Sequence, residues 1–414
     1  MRRPIETSRK IDPIFNYPHK NYPIVHVTGT NGKGSTSNMI ASILIEAGYK
    51  VGTFNTPFIV EERDIVKING EPVPPKKHRE IYDKIYKTAR EHKIYNIFLS
   101  TVRAESAFLY FEENNVDIAV VEADLGAAND STGIIIPIVS LLTNITADHL
   151  NLFNNDIICY AHEKAGVIKN NIPVYIGETP KDEQIKQILI DKANECNSPL
   201  TWTDKPENNL IIDYKGEGNY NTIFGDISMC LGGDYQKENL NLVLNAIQEL
   251  RKQGYNITNE HIIEGLQKIY ENTQFCGRWY FLSKQPKVIL DCGHNVGAWE
   301  KITKQLSTMK YNKLQVVLQM CKDKDVDTVA KLLPDKENIS YWFPTPHAQR
   351  LIKPEGLMEK TNWMVKSQRY AGEELLDVVK TLINNANEDD VILICGTCKN
   401  INKIMNGLRY LYEK

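Results

Sequence analysis

The stretch "PIVHVTGTNGKGSTSNMIASILIEAGYKVGTF", residues 23–54, decides the fold. It opens on a compact β-branched run ending at Thr28, which reads as a buried strand. A glycine-rich turn follows, then a segment in which Met39, Ile40, Ile43 and Leu44 share one helical face and Gly48 supplies a stop. "YKVGTF" then reads as a second strand. The turn "GTNGKGS" suits a polyphosphate: glycines let the backbone wrap an anion, and the helix start adds partial positive charge. Lys33 is placed to reach the outer phosphates, and the Ser35 hydroxyl lies at the helix start. The ordinary pattern G-x-x-x-x-G-K-[ST] fails at one place, because Gly34 stands where a magnesium-binding Ser or Thr belongs.

Outward from this stretch the same rhythm continues. "VDIAVVEADL" and "PIVSLLTNIT" are continuous apolar runs of the kind found in parallel sheets covered on both faces. "TVRAESAFLYFEEN" and "DEQIKQILIDKANE" read as helices, and "GDISMCLGGDYQKENLNLVLNAIQELRKQG" as a strand, a Gly turn and a long amphipathic helix. A second alternating series begins near residue 277 with "KVILDCG" and runs through "LQVVLQM", "ISYWFPT" and "VILICGT". The fold class is therefore α/β: a doubly wound parallel-sheet domain over residues 1–272 and a smaller Rossmann-like domain over 273–414.

Composition narrows the function. At 42% hydrophobic and 24% charged, with a formal net charge of −3, the chain offers no basis for a nucleic-acid or anionic-membrane partner. "GIIIPIVSLLTNI" is broken by Pro137 and suits a buried strand rather than a membrane span. "MRRPIETSRK" has no apolar segment behind its arginines, so it does not read as a secretory signal. Eight scattered cysteines form no framework, and Cys395 with Cys398 is an isolated pair read as a strand end and a loop. A cytoplasmic protein with reduced thiols is expected.

Two further residues carry chemistry. Glu122 ends the strand "VDIAVVE", where carboxylates stand at the ligand edge of a parallel sheet. His149 follows "TNITAD" at the end of the next strand. With the Ser35 hydroxyl they form a donor set for Mg²⁺ beside triphosphate oxygens. The alternative is a helix-capping Glu and a hydrogen-bonded core His.

With "TGTNGKGS" and these separated motifs, the chain resembles the Mur ligase superfamily, and within it the folylpolyglutamate synthase/dihydrofolate synthase family. The resemblance implies an ATP-binding N-terminal domain whose loop, Gly29, Thr30, Asn31, Gly32, Lys33, Gly34 and Ser35, holds the phosphates. It implies Thr56 of "FNTPF" as a metal ligand beside Ser35, Glu122 and His149. In "HEKAGVIK", Lys164 matches the lysine that the family carbamylates, a change that makes it a ligand for a second Mg²⁺. Asn239, Arg278 and Asp291 match nucleotide contacts, and His294 is assigned to orienting the amine or stabilising the tetrahedral intermediate. Lys33, Lys164 and His294 are thus the implied catalytic residues, and ATP with two Mg²⁺ ions the implied cofactors.

The implied activity is ADP-forming ligation of an amino acid to a carboxylate activated as an acyl phosphate, with L-glutamate and a pterin or other carboxylate as small-molecule partners. A monomer is expected. Several positions depart from the family. Ser100 and Thr101 stand where an aromatic–Glu pair is usual, with Glu105 one helical turn later. "ADLGAANDSTG" lacks the usual arginine and has Gly133 for Asn. The N-terminal helix that helps cover the pterin is largely missing before Asn21, and Val296 replaces the usual Pro. Three readings follow: a folate enzyme, a paralogue acting on a non-folate acid, and a nucleotide-binding paralogue without catalysis.

Overall fold

The computed structural model describes residues 3–58, 61–148 and 150–408. These form two units, one of the residues up to Met229 with Tyr235–Phe275, the other of Cys230–Asp234 and the chain from Cys276 on.

In the first unit, strand β1 (Ile24–Thr28) is buried at every residue, and it lies deep inside an eight-stranded sheet. The sheet holds β2 (Val51–Phe54), β3 (Val66–Ile68), β4 (Glu71–Pro72), β5 (Ile118–Glu122), β6 (Val139–Leu142), β7 (Val174–Ile176) and β8 (Leu200–Trp202) in the order β4-β3-β2-β5-β1-β6-β7-β8. β3 and β4 run antiparallel at one edge and the rest are parallel. The parallel strands are apolar on both faces because helices cover both. The first three helices are α1 (Pro4–Ile11), α2 (Lys33–Glu46) and α3 (Pro75–Glu91). Next come α4 (Leu99–Glu113), α5 (Ile157–Ala165) and α6 (Glu183–Glu195). α7 (Gln236–Lys252), α8 (Asn259–Gln267) and α9 (Ile269–Thr273) complete the unit.

Three expectations change here. α2 is not a one-faced helix: Met39, Ile40, Ile43 and Leu44 are buried, but so are Ser35, Thr36, Ser37, Asn38 and Ser42. Helices α7, α8 and α9 and strand β5 all pack on it, so its polar residues are enclosed as well. The segment before Asn21 is not missing a helix, since α1 begins at Pro4, a residue suited to the first helical turn. The strand in "GDISMCL" does not extend the parallel sheet. β11 (Gly225–Ser228) pairs antiparallel with β10 (Asn219–Thr222), which pairs with β9 (Ile211–Gly216) in a separate sheet. Glu217 and Gly218, both at positive φ, make the tight β9–β10 turn.

The second unit is a six-stranded sheet of order β12-β13-β17-β14-β15-β16. Its strands are β12 (Tyr280–Lys284), β13 (Lys287–Asp291), β14 (Leu314–Leu318), β15 (Ile339–Phe343), β16 (Gln368–Ala371) and β17 (Val391–Cys395). Only β12 runs antiparallel, and the helices are α10 (Val296–Thr308), α11 (Val326–Leu332), α12 (Pro354–Lys360), α13 (Leu375–Asn385) and α14 (Lys399–Gly407) among the described residues. Cys395 is buried at the end of β17 and Cys398 caps α14. Among the described residues no helix is long and apolar enough to cross a membrane.

Packing between β2 and α4 leaves no room for a methyl group at Gly52, where a Cβ would stand 2.8–2.9 Å from the buried Phe111 ring. Gly52→Ala should lower unfolding stability in urea by about 1–3 kcal/mol. Adding Phe111→Leu to that variant should cost less than the sum of the two single changes.

Candidate active site

The glycine-rich loop leaves the carboxyl end of β1, the position at which open α/β sheets bind ligands. Its shape is imposed by the segment after β6. Thr30 N donates to Asn144 O at 2.9 Å, Asn31 N to Asn144 Oδ1 at 3.1 Å, and Thr143 Oγ1 to Asn31 O at 2.6 Å. The Thr30 hydroxyl donates to Thr146 O at 3.0 Å and accepts from Thr146 N at 3.1 Å. Two glycines are obligatory. Gly29 (φ +143°) would drive a Cβ to 1.8 Å from Thr143 Oγ1, and Gly32 (φ +88°) to 2.2 Å from Asn239 Oδ1. Gly32 caps α2, whose first-turn N–H groups lack intrahelical acceptors and so face an incoming anion.

Gly34 has a local reason. A Cβ there would lie 3.1 and 3.3 Å from Phe275 ring carbons and 3.8 Å from Glu122 Oε2. Ser35, one residue on, holds the hydroxyl instead; it is buried and accepts from Gln236 Nε2 at 3.3 Å. Gln236 in turn accepts from Asn239 Nδ2 at 2.8 Å, so Asn239 and Ser35 are linked through a glutamine absent from the predicted set.

Lys33 Nζ donates to Thr30 O at 3.3 Å and stands 3.8 Å from Glu122 Oε1, a carboxylate only 3% exposed. Asn55 Nδ2 donates to Glu122 Oε2 at 3.2 Å and Asn38 Nδ2 donates to Asn55 Oδ1 at 3.3 Å. Thr56 Oγ1 donates to Asp124 Oδ1 at 3.4 Å, so Thr56 faces an acid two residues beyond Glu122. His149 lies outside the described residues. Ser35, Thr56, Glu122 and Asp124 are all hard oxygen donors, the chemistry that suits Mg²⁺. Among the described residues no group of three or more His, Cys, Asp or Glu side chains is assembled for a metal. An ion here would therefore draw further ligands from phosphate oxygens and water, as Mg²⁺ commonly does.

Lys164, on α5, is fully buried rather than exposed as an amphipathic pattern would place it. Its Nζ donates to Gly29 O at 2.7 Å and Leu125 O at 3.0 Å, and lies 4.3 Å from the Tyr160 ring centroid. Burial, with Lys33 close by, pushes this amine well below the ordinary lysine range, while Asp148, Glu163 and Asp124 pull the other way. The loop after β5 is fixed on Glu163, which accepts from Asn129 N and Asn129 Nδ2, both at 2.6 Å. Asp130 accepts from Thr132 N and Oγ1, and removal from water followed by Asp124 raises it to about 6. Thr132 Oγ1 also meets His26 Nε2 at 3.0 Å; burial, then Lys169, lowers His26 to about 3, so that ring is neutral. Ser131 Oγ donates to Ser100 Oγ at 3.1 Å and lies 3.4 Å from Thr101 Oγ1. Hydroxyls thus join α4 to the loop where the family has an aromatic–Glu pair.

In the second unit, Asp291 ends β13 and its carboxylate accepts from Trp279 N at 2.9 Å and Gly293 N at 2.7 Å. It thereby fixes the turn carrying Arg278, whose Nη1 donates to Gly277 O at 2.8 Å. His294 Nδ1 lies 2.9 Å from Cys292 O, and Asn295 caps α10 by accepting from Ala298 N at 2.9 Å. Asn55, Asn144, Tyr160 and Gln236 were not singled out from the sequence. The position of Asn144 two residues beyond a strand was the signal available for it; the others are visible only in three dimensions.

With this geometry in hand, comparison with known proteins is direct. Residues 27–247 match the Mur ligase middle domain and residues 277–398 the Mur ligase glutamate ligase domain. The chain belongs to the Mur ligase family. It is 28% identical to the dihydrofolate synthase/folylpolyglutamate synthase of Bacillus subtilis, an alignment covering 95% of this chain and 92% of that one. Among solved structures it is similar to Escherichia coli FolC in complex with DHPP and ADP, with a TM-score of 0.83 at 23% identity, covering 99% and 94% of the two chains. A bifunctional folylpolyglutamate synthase/dihydrofolate synthase with Mn, AMPPNP and L-glutamate bound gives 0.79 at 23%, covering 99% and 95%.

Gly34→Ser, which restores the ordinary loop pattern, should weaken ATP binding by about tenfold, a clash worth about 1–3 kcal/mol. Phe275→Leu in the same chain should recover part of it, read by nucleotide titration calorimetry.

Proposed function

We propose that this chain is an ATP-dependent ligase that adds L-glutamate to dihydropteroate or to a folate. The observation that carries the reading is the loop of residues 29–35 with Lys33 against Glu122, in a chain that has both Mur ligase domains in order. The relationship to a dihydrofolate synthase/folylpolyglutamate synthase over nearly the whole chain supplies the substrate class. Residues 1–272 would bind ATP and residues 273–414 would serve the amino acid.

A substrate carboxylate oxygen attacks the γ-phosphorus of ATP, and the bond to ADP breaks. The amine of L-glutamate then attacks the carbonyl carbon of the acyl phosphate, inorganic phosphate leaves and the amine gives up a proton. Lys33 and the α2 N-terminus hold and neutralise the phosphates. Ser35, Thr56 and Glu122 fit a divalent cation, with His149 in the same proposed set; such an ion supplies charge neutralisation at the phosphates. The similar structure that holds Mn and AMPPNP supports a divalent cation together with the nucleotide, not the particular ligands. Asn239, Arg278 and Asp291 are proposed nucleotide contacts and His294 the group that orients the amine. Lys164 is a lysine whose lowered basicity leaves neutral amine available for carbamylation, the modification through which a second Mg²⁺ would be held. Action as a cytoplasmic monomer belongs to the same proposal.

One observation favours a second reading, in which the same ligation acts on a non-folate acid. Ser100 and Thr101 place hydroxyls, bonded to Ser131, where the family has an aromatic–Glu pair, and "ADLGAANDSTG" lacks the usual arginine.

Phosphate release from ATP should require L-glutamate together with dihydropteroate or tetrahydrofolate. Turnover with another acid, and with no pterin, would replace the first reading by the second. Lys33→Ala should abolish product formation with an unchanged circular dichroism spectrum; undiminished product would remove the phosphate-loop assignment.

A further inference from the structure

On α4, Glu105 is 1% exposed, and neither carboxyl oxygen has a hydrogen-bond partner. A carboxyl group left in that state stays protonated, because an unpaired buried charge is far costlier than the neutral acid. The groups that act on it are themselves acids. Asp12 of the turn Asp12–Phe15 faces it from the N-terminal segment, and Glu112 from α4; with burial as the main cause, they push it well above the usual carboxyl range. Tyr22 shares these neighbours and donates to Phe108 O at 3.2 Å. Asp12 is committed elsewhere, with Oδ1 2.8 Å from His19 Nδ1 in a buried pair, and Glu112 accepts from Asn21.

The N-terminal segment crosses two parts of the unit. Toward the far end of α4 the His19 ring lies 5.4 Å from that of Phe108, and the Asp12–His19 pair fixes that ring within the segment. At its beginning, Thr101 Oγ1 donates to Pro4 O at 3.3 Å and Ile5 N donates to Asn129 O at 3.0 Å, so α1 sits against the loop that follows β5. Ile5 also packs where any side chain at Gly133 would go, with Cδ1 2.9 Å from the place of a Cβ. Between these anchors Asn16 (φ 61°) and Tyr17 (φ 57°) are consecutive left-handed residues. Residues with side chains adopt that conformation in succession only when their surroundings impose it.

We propose that residues 4–20 form a strap over α4 whose hold depends on the proton of Glu105, and that loosening it opens the side of the site lined by residues 100–101 and 129–133. The second clause rests on the proposed function; the first does not. When the proton leaves to solvent, a carboxylate without donors faces the Asp12 carboxylate. α4 cannot yield, since Phe108 and Phe111 are buried in the sheet-side core. The strap has fewer such contacts, chiefly Ile5 and Ile11, so it is the side that lifts, and its left-handed joint relaxes as it does. The docked strap binds a proton that the lifted one, near the ordinary carboxyl range, releases. Docking is therefore complete below that range and weakens as pH rises toward the raised value of Glu105, by up to about tenfold per pH unit.

The test is amide hydrogen exchange on the full chain without substrates, as protection factors for residues 4–20 between about pH 6 and pH 9, a window above the ordinary carboxyl range. Protection of the strap should fall with pH by up to about tenfold per unit, while protection of β1 stays level. Glu105→Gln should remove the slope. If that variant does not fold, Asp12→Asn provides the second reading, with a shallower slope expected. Equal pH dependence in the parent chain and a folded variant overturns the strap. With a pterin acid as substrate, its KM should follow strap protection while the KM for ATP does not; a chain that ligates no pterin would remove the functional clause and leave the exchange result standing.

Discussion

The contact on which the site depends is the one between the end of β6 and the glycine-rich loop. Asn144 receives Thr30 and Asn31 with its carbonyl and side-chain oxygens, and Thr143 closes on Asn31 so tightly that Gly29 has no room for a side chain. β6 lies beside β1 in the sheet, so this clamp transmits the register of the parallel strands directly to the backbone of the glycine-rich loop. Lys164 adds a third anchor by donating to Gly29 O from α5. Two elements distant in sequence, the end of β6 and α5, thus hold one loop in a conformation that the loop's own glycines merely permit.

The same arrangement sets the charge. Lys33 and Lys164 lie near one another, with Glu122, Asp124 and Asp148 around them, and the balance differs between the two cations. Lys33 keeps part of its side chain in water and faces Glu122, whereas Lys164 is enclosed, and its basicity falls. On the proposed assignment, a triphosphate at the α2 N-terminus would meet the Lys33 ammonium, backbone donors and the Glu122 carboxylate, with the acidic loop beside it.

Much of this was legible in residues 23–54, because a strand, a glycine turn and a helix are a local pattern with one physical solution. Glu122 was legible as well, since a strand's carboxyl end in a parallel sheet is a position that can be read from an apolar run. What was not legible is tertiary. The burial of Ser35–Asn38 and Ser42 depends on helices more than 190 residues later in the chain, from Gln236 onward, and α1 is too short for periodicity to reveal. β11 looked like one more strand of the series, yet it pairs antiparallel with β10 outside the main sheet, because the two-residue connection of Ile223 and Phe224 folds it straight back on β10. Gly34 belongs to the same class: its neighbour Phe275 lies some 240 residues on, and only the fold shows why a hydroxyl at that position gives way to Ser35.

The central claim is that ATP activates a carboxylate at this loop. It is tested most directly by supplying the acid substrate with its carboxylate labelled in ¹⁸O, together with ATP and L-glutamate, and measuring the released phosphate by mass spectrometry. Attack of the carboxylate on the γ-phosphorus predicts one labelled oxygen in each inorganic phosphate formed with product. Product accompanied by unlabelled phosphate would contradict the acyl phosphate and, with it, this account of the site.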